Sequence, residues 1–400
     1  MQSVADGGTI SPGPNQTRIA AGPSYRLIAV SGGLDGPSGI MCGGLNNSGQ
    51  LGLGTRDKDY VFHVVNSTGL EVVGIACGRE HSMLLAKQQS SASAVNKRTT
   101  LLAFGNSMYG QLGHGRSKDS PGEMTYSVDG TMEDNNDGLV CELSPRPVQL
   151  PDPEDYVVHV ECGLDHTVLL THQGNLYSMG WGADGQLGLG PDSSSDRSVP
   201  TLIERLSWKT RGKEVGRVQQ ISSSTDFTLA LLENKQLWIW GNAEYGQCMV
   251  NRKIDRILEP MHIPHPIPAS ETIASVAAGG TFALLLSESG KVYTCGFGAL
   301  GLGPDKTQIL MPEQITTLPR IRKIFASTDY AAALDDEGNL YTWGTCGRTG
   351  RLGHGEFGDL FEPKKITLPE AEKNGARAPV VHDVALGLDC AVALVDYGNE

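Results

Sequence analysis

Gly182-Ala183-Asp184-Gly185-Gln186-Leu187-Gly188-Leu189-Gly190 decides the fold, because the phrase does not stand alone. It returns as Asn46-Asn47-Ser48-Gly49-Gln50-Leu51-Gly52-Leu53-Gly54 and as Asn106-Ser107-Met108-Tyr109-Gly110-Gln111-Leu112-Gly113-His114-Gly115. Weaker copies lie at Asn242-Ala243-Glu244-Tyr245-Gly246-Gln247, over 297–303 and over 346–355. Copies that recur every roughly 50 to 75 residues mark a propeller or solenoid. Before most copies runs an alternating, aromatic and β-branched segment ending in Gly, such as Leu237-Trp238-Ile239-Trp240-Gly241 or Leu340-Tyr341-Thr342-Trp343-Gly344. Period-two patterning of this composition is strand. Further upstream sits a second phrase, for example Val160-Glu161-Cys162-Gly163-Leu164-Asp165-His166-Thr167. Each unit therefore reads as about four short strands.

The composition agrees. The chain has 51 glycines in 400 residues and 19% charged residues, which excludes a coiled coil and disfavours a helix bundle. Small residues near one end of each unit suit radial blades whose backbones crowd toward a central channel. The two phrases together resemble the repeat of the regulator of chromosome condensation superfamily, over about Ile19 to Leu394. That resemblance implies a seven-bladed β-propeller. The expected organisation is a flexible segment over 1–16, a single propeller over 17–395 with insertion loops near 87–100 and 116–144, and a tail over 396–400.

The acid- or His-bearing half of the repeat occurs seven times, the Gly-Gln-Leu-Gly half six times. One half-blade thus lacks a partner, and residues 1–16 hold neither its strand nor its turn. The expectation is an incomplete last blade with an open sheet edge, in a copy that lacks its N-terminal half-blade and any targeting presequence that preceded it. The alternative is a variant ring that closes without that half.

Net charge is −13, which opposes counterion-release binding to nucleic acid, so RNA is disfavoured and DNA is not expected. No stretch is apolar for long enough to suggest a membrane helix. The eight cysteines contain no Cys-x-x-Cys pair and read as buried thiols of a reducing compartment. The runs at 180–185 and 296–301 match Gly-x-Gly-x-x-Gly but are repeat turns that lead into Gly-Leu-Gly-Pro rather than a helix. No P-loop, metal-like Cys/His cluster or nucleophile–base pattern is present, so neither a metal, nor a cofactor, nor a catalytic residue is expected. His81 and His166 share one repeat position and read as hydrogen-bonded structural residues, like the turn glycines Gly52, Gly113, Gly188 and Gly353.

One column of the second phrase reads Ser24, Glu80, Asp165, Asp226, Thr281, Asp329 and Asp389, five of seven acidic. Rotation from blade to blade places such a column around one mouth of the channel, where carboxylates focus a negative potential. The plainer reading is that each fixes its own turn. In the family's nuclear exchange factor an Asp in a Gly-x-Asp-His setting contributes to nucleotide release, and the resemblance puts Asp165 first for a GTPase partner. Against the acidic background stands one basic strip, Lys209, Arg211, Lys213 and Arg217 beside Trp208, a candidate for RNA phosphates and a stacked base, or else a solvated loop.

Details at 178–186, 241–245 and 296–304 are similar to those of a mitochondrial branch of the superfamily. They imply a non-catalytic platform in mitochondria, associated with assembly or translation of the large ribosomal subunit and its rRNA. The alternatives are exchange activity toward a mitochondrial dynamin-like fusion GTPase, and, for location, the cytoplasm.

Overall fold

The computed structural model describes residues 18–30, 39–57, 59–66, 70–88, 98–119, 139–191, 195–211, 215–368 and 379–396. They form an all-β propeller of six four-stranded antiparallel blades and one two-stranded sheet. Blade 1 comprises β1 (Arg18–Ala21), β2 (Tyr25–Val30), β3 (Gly39–Gly44) and β4 (Asp59–Asn66). Blade 2 comprises β5 (Leu70–Cys77), β6 (His81–Gln88), β7 (Thr99–Asn106) and β8 (Cys141–Pro147). Blade 3 holds β9 (Val157–Cys162), β10 (His166–Thr171), β11 (Leu176–Gly180) and β12 (Arg197–Leu202). Blade 4 holds β13 (Val218–Ser224), β14 (Phe227–Leu232), β15 (Leu237–Asn242) and β16 (Arg256–Ile263). Blade 5 is β17 (Ile273–Ala278), β18 (Phe282–Ser287), β19 (Val292–Phe297) and β20 (Gln308–Gln314). Blade 6 is β21 (Ile321–Ala326), β22 (Tyr330–Asp335), β23 (Leu340–Gly344) and β24 (Leu360–Lys365), and the two-stranded sheet is β25 (Val380–Leu386) with β26 (Ala391–Asp396).

The second strand of a blade lies between its neighbours on both faces, which is why it reads as an unbroken apolar run. Phe227–Leu232, Phe282–Ser287 and Tyr330–Asp335 are buried at every position. At full burial a Leu or Phe stabilises by about 1.5–3 kcal/mol, and most of the largest fully buried side chains, among them Trp240, Trp343, Phe227 and Leu169, come from second and third strands. First strands surround an axial cavity of about 190 Å³ lined by small side chains such as Ala20, Ala76, Ser223 and Ser327.

Backbone bonds link the turns at the end of the first strands: Arg79 N–H donates to the Leu164 carbonyl, Leu164 N–H to Thr225, and Gly280 N–H to Thr328. Each blade thus takes hold of the next. Close approach makes glycine obligatory there, since a Cβ on Gly163 would lie 2.0 Å from His166 Cε1.

The two-stranded sheet fills the gap between blades 6 and 1. Asp389 N–H donates to the Pro23 carbonyl, while on the other side the Ser327 and Tyr330 hydroxyls donate to Gly387 at 3.2 and 2.7 Å. Its β26 has the pattern of exposed and half-buried positions, unlike the second strands of the complete blades. Strand β8 begins at Cys141, inside the stretch expected as an insertion loop, because blade 2 needs Cys141–Pro147 as its outer strand against Leu102–Asn106. The termini and the centres of both insertion loops lie outside the described residues, so the expected N-terminal segment is not among them.

Candidate functional site

The strand directions put the first and third inter-strand turns of every blade on one face of the ring, here the turn face. All seven members of the acid column lie on it. Glu80 accepts hydrogen bonds from Ser48 Oγ of the preceding blade at 2.9 Å and from Asn106 Nδ2 at 3.0 Å. Asp165 is an ion-pair partner of Arg79, 2.9 Å away on the preceding blade, and its side chain is only 10% exposed. Asp389 accepts from Ser24 Oγ at 3.0 Å, across the seam. Asp329 lies 2.6 Å from the guanidinium of Arg351, which itself is 5% exposed, stacks over Tyr330 and also donates to the Leu388 carbonyl. These four carboxylates tie turns together, three of them across blades. Thr281, which replaces the acid in blade 5, donates to the Phe297 carbonyl at 2.8 Å.

Asp226 differs. The hydrogen bond that its carboxylate accepts from Gln186 Nε2 is long at 3.4 Å, and burial together with the nearby carboxylates of Asp184 and Asp165 pushes its carboxyl up to about 6. Burial also raises Asp165, against the pull of Arg79. Arg79 thus acts on both Asp165 and Asp226, while Asp184 adds a further carboxylate beside Asp226 on the same face. Beside them Trp181 pairs with Tyr109 at 6.2 Å between ring centroids, and the backbone N–H of Trp181 donates to the Asp165 carbonyl. Arg79, Asp184 and Arg351 escaped the sequence reading. Asp184 stands in the glycine turn rather than in the acid column, and Arg351 stands where other copies of the turn have Gln.

His81 and His166 are fully buried and reach into the following blade, to Thr167 Oγ1 at 3.1 Å and Ser223 Oγ at 2.9 Å. The Thr167 hydroxyl donates to the Gln111 carbonyl, so His81 Nε2 carries the proton and donates to Thr167. Burial lowers both imidazoles to about 3, which keeps them neutral and unsuited to acid–base work at neutral pH. Gly52, Gly113, Gly188 and Gly353 all have positive φ, and a Cβ on Gly188 would press on Trp240 at 2.9 Å.

The basic strip lies on the opposite face, in the connection between blades 3 and 4. Trp208–Arg211 forms a four-residue helix, Arg217 sits 4.9 Å over the Trp208 ring, and Lys209 pairs with Asp152 at 3.6 Å while staying 61% exposed. Lys213 lies outside the described residues. Of the indole offered by the sequence for a stacked base, one face is taken by Arg217. Among the described residues no group of His, Cys, Asp and Glu is arranged to hold a metal ion, and no helix is long and apolar enough to cross a membrane.

A closed ring of such blades, with inter-blade clasps in its turns, is a repeat propeller. A profile described as the regulator of chromosome condensation (RCC1) repeat matches residues 41–85, 100–170, 173–231, 289–334 and 337–394, and a second RCC1 repeat profile matches 157–186, 218–247 and 273–301. The chain belongs to the RCC1 repeat family. It is 30% identical to the RCC1-like G exchanging factor-like protein of Mus musculus over 376 residues, covering 88% of this chain and 70% of that one. It is 25% identical to the regulator of chromosome condensation of Homo sapiens over 416 residues, covering 93% of each chain. The crystal structure of human WBSCR16 superposes with a TM-score of 0.74 at 28% identity, over 96% of this chain and 88% of that one. Yeast RCC1 (Prp20), solved bound to Kap60, shares the fold with a TM-score of 0.72 at 20% identity, over 96% and 80%.

Proposed function

We propose that this chain is a non-catalytic platform that docks a protein partner on its turn face, and that the partner is a GTPase whose nucleotide exchange it promotes. The observation that carries the reading is the acid cluster of this face: Asp165 pairs with Arg79, while burial and the carboxylates of Asp184 and Asp165 hold Asp226 near 6. A basic group from a partner relieves that crowding. Exchange needs no covalent step: a protein that binds the nucleotide-free GTPase better than the loaded one displaces the nucleotide. Carboxylates at the mouth then compete for the phosphate-site lysine or the magnesium ion. Relatives named RCC1-like G exchanging factor-like protein support the same class.

In this reading the contact residues are Asp184 and Asp226, with Asp165 and Arg79 beneath them as their support. The ring is taken as seven-bladed, with β25 and β26 as the inner half of its last blade. Similarity to WBSCR16 and the mitochondrial details of the sequence favour a mitochondrial fusion GTPase as the partner. The test is release of a fluorescent guanine nucleotide from such a GTPase in the presence of the full chain. Acceleration that falls about tenfold in the Asp184→Asn/Asp226→Asn double variant supports the proposal, since loss of a charge-assisted contact is worth about that much. Acceleration unchanged in the double variant, or no acceleration by the folded wild type, sinks it.

A second reading, association with ribosomal RNA, rests on the exposed Lys209 and Arg211 of the opposite face. Binding of large-subunit rRNA that weakens in Lys209→Ala/Arg211→Ala and fades with salt favours it.

A further inference from the structure

Two aromatic pairs of the turn face are built alike. Tyr109 stands just before the turn glycine Gly110 of blade 2 and Tyr245 just before Gly246 of blade 4, while Trp181 and Phe297 follow Gly180 and Gly296 in the next blade. In both pairs the rings meet across a blade boundary, Tyr109 with Trp181 at 6.2 Å between centroids and Tyr245 with Phe297 at 6.3 Å. The backbone sets them there: the N–H groups of Trp181 and Phe297 donate to the carbonyls of Asp165 and Thr281, both members of the acid column.

The pairs differ in what covers them. Lys118 Nζ lies 4.4 Å from the centre of the Tyr109 ring and 3.5 Å from Asp196, and both rings of that pair are half-buried. Tyr245 and Phe297 are 38% and 45% exposed, and among the described residues no cation stacks on either. The reason is a change between copies of the repeat. Lys118 is the eighth residue after Gly110, whereas the eighth after Gly246 is Ile254, which packs against the core. Arg252 and Lys253 beside it are exposed, and neither stacks on the pair. Carboxylates stand close: Glu244 precedes Tyr245 and is exposed, and the Asp226 carbonyl accepts from the N–H of Asn242, three residues before that ring.

We infer that the Tyr245–Phe297 pair is a docking site for a basic side chain of a protein partner, an arginine or lysine that takes the place Lys118 has over Tyr109. The two pairs together define the occupant. An aromatic face attracts a cation through its quadrupole, the more so once water is excluded, and the equivalent pair already holds one. The neighbouring carboxylates favour a positive charge over a negative one. The site rests on the reading that partners approach the turn face, and adds to it a second anchor at the boundary of blades 4 and 5.

The test titrates the full chain with the blocked tripeptide Gly-Arg-Gly, and with the same peptide carrying citrulline, which keeps the shape of arginine without its charge. The ring resonances of Tyr245 and Phe297 report binding. The arginine peptide is expected to shift both, to bind about fivefold more weakly to Tyr245→Leu and to Phe297→Leu, and to outbind the citrulline peptide by at least as much. Both Leu variants keep the charge of the face, so a loss there is not a change in its general field. Two reciprocal variants use the comparison itself: Lys118→Ala uncovers the first pair and lets the peptide move the Trp181 indole resonance, whereas Ile254→Lys supplies the missing cation and blocks the peptide at Tyr245. Each variant is first checked for an unchanged melting transition. Ring resonances that stay in place, a citrulline peptide that binds as well, Leu variants that bind like wild type, or a Trp181 indole that does not respond in Lys118→Ala overturn the inference. No GTPase or nucleotide takes part, so failure here is distinct from failure of the exchange assay.

Discussion

The two faces of this ring carry charge in different ways. On the turn face, carboxylates outnumber the cations near them over blades 3 and 4, and Asp226 is held near 6. On the opposite face, two cations of the basic strip already have work: Lys209 pairs with Asp152 and Arg217 covers Trp208. A surface whose charges satisfy one another is solvated structure, whereas one with leftover charge has affinity to offer. The difference teaches that the count of like charges in a sequence matters less than how many of them the fold leaves uncompensated.

Four experiments break or sharpen this contrast. The largest effect is expected from Gly163→Ala beneath the turn face, where the new methyl meets His166 at 2.0 Å and the Thr225 carbonyl at 2.6 Å. Overpacking of this severity should cost more than about 3 kcal/mol in urea unfolding, against almost nothing for Gly358→Ala, which meets no atom within 4 Å. Next comes Arg351→Ala. It strands Asp329, removes a stack on Tyr330 and unfastens Leu388, and should lower stability by about 2 kcal/mol while hydrogen exchange in β25 and β26 speeds up.

Asp226→Asn is third, and its sign can be worked out. The carboxyl titrates near 6 in the folded chain against an ordinary 3.8, so between those values the folded state holds a proton that the unfolded state has released. Stability contributed by this group is therefore present at low pH and lost as pH rises through about 6. Melting temperatures across pH 4 to 7, a window spanning about those two values, should fall less with rising pH in Asp226→Asn than in the wild type. The smallest effect belongs to the opposite face: Lys209→Ala should change stability by under about 1 kcal/mol, and by less still at high salt.

Much of the fold was legible because it is repeated. A glycine phrase met once is a turn, but six copies with strands before them leave few architectures open. The halves could be counted as well, and the two-stranded sheet stands where the count placed the unpaired half. The site was harder. A column of acids is visible in sequence, yet whether Asp165 faces a partner or Arg79 depends on a contact between blades that no local pattern encodes. Asp184 joins Asp226 only because the glycine turn of blade 3 lies against the first turn of blade 4, through Gln186. The uncovered pair of Tyr245 and Phe297 was legible only in part: the change from Lys118 to Ile254 is plain in the sequence, whereas the ring contact that gives it meaning appears only in the structure.

The clasps from Gln turns, in which Ser82, Thr167, Trp240 and Cys295 donate to the carbonyls of Gln50, Gln111, Gln186 and Gln247, all run the same way round the ring, from a carbonyl in one blade to a donor in the blade that follows it in the chain. A ribosome makes the acceptor before the donor. Each new blade thus emerges beside a finished template, and the ring is suited to assembly in the order of its synthesis. At blade 6 the Gln-turn acceptor is missing, and its docking rests on apolar packing against Leu300, Ile315 and their neighbours and on the backbone bond from Gly280 to Thr328. In a growing chain, this is the joint where a pause gives the most time for error.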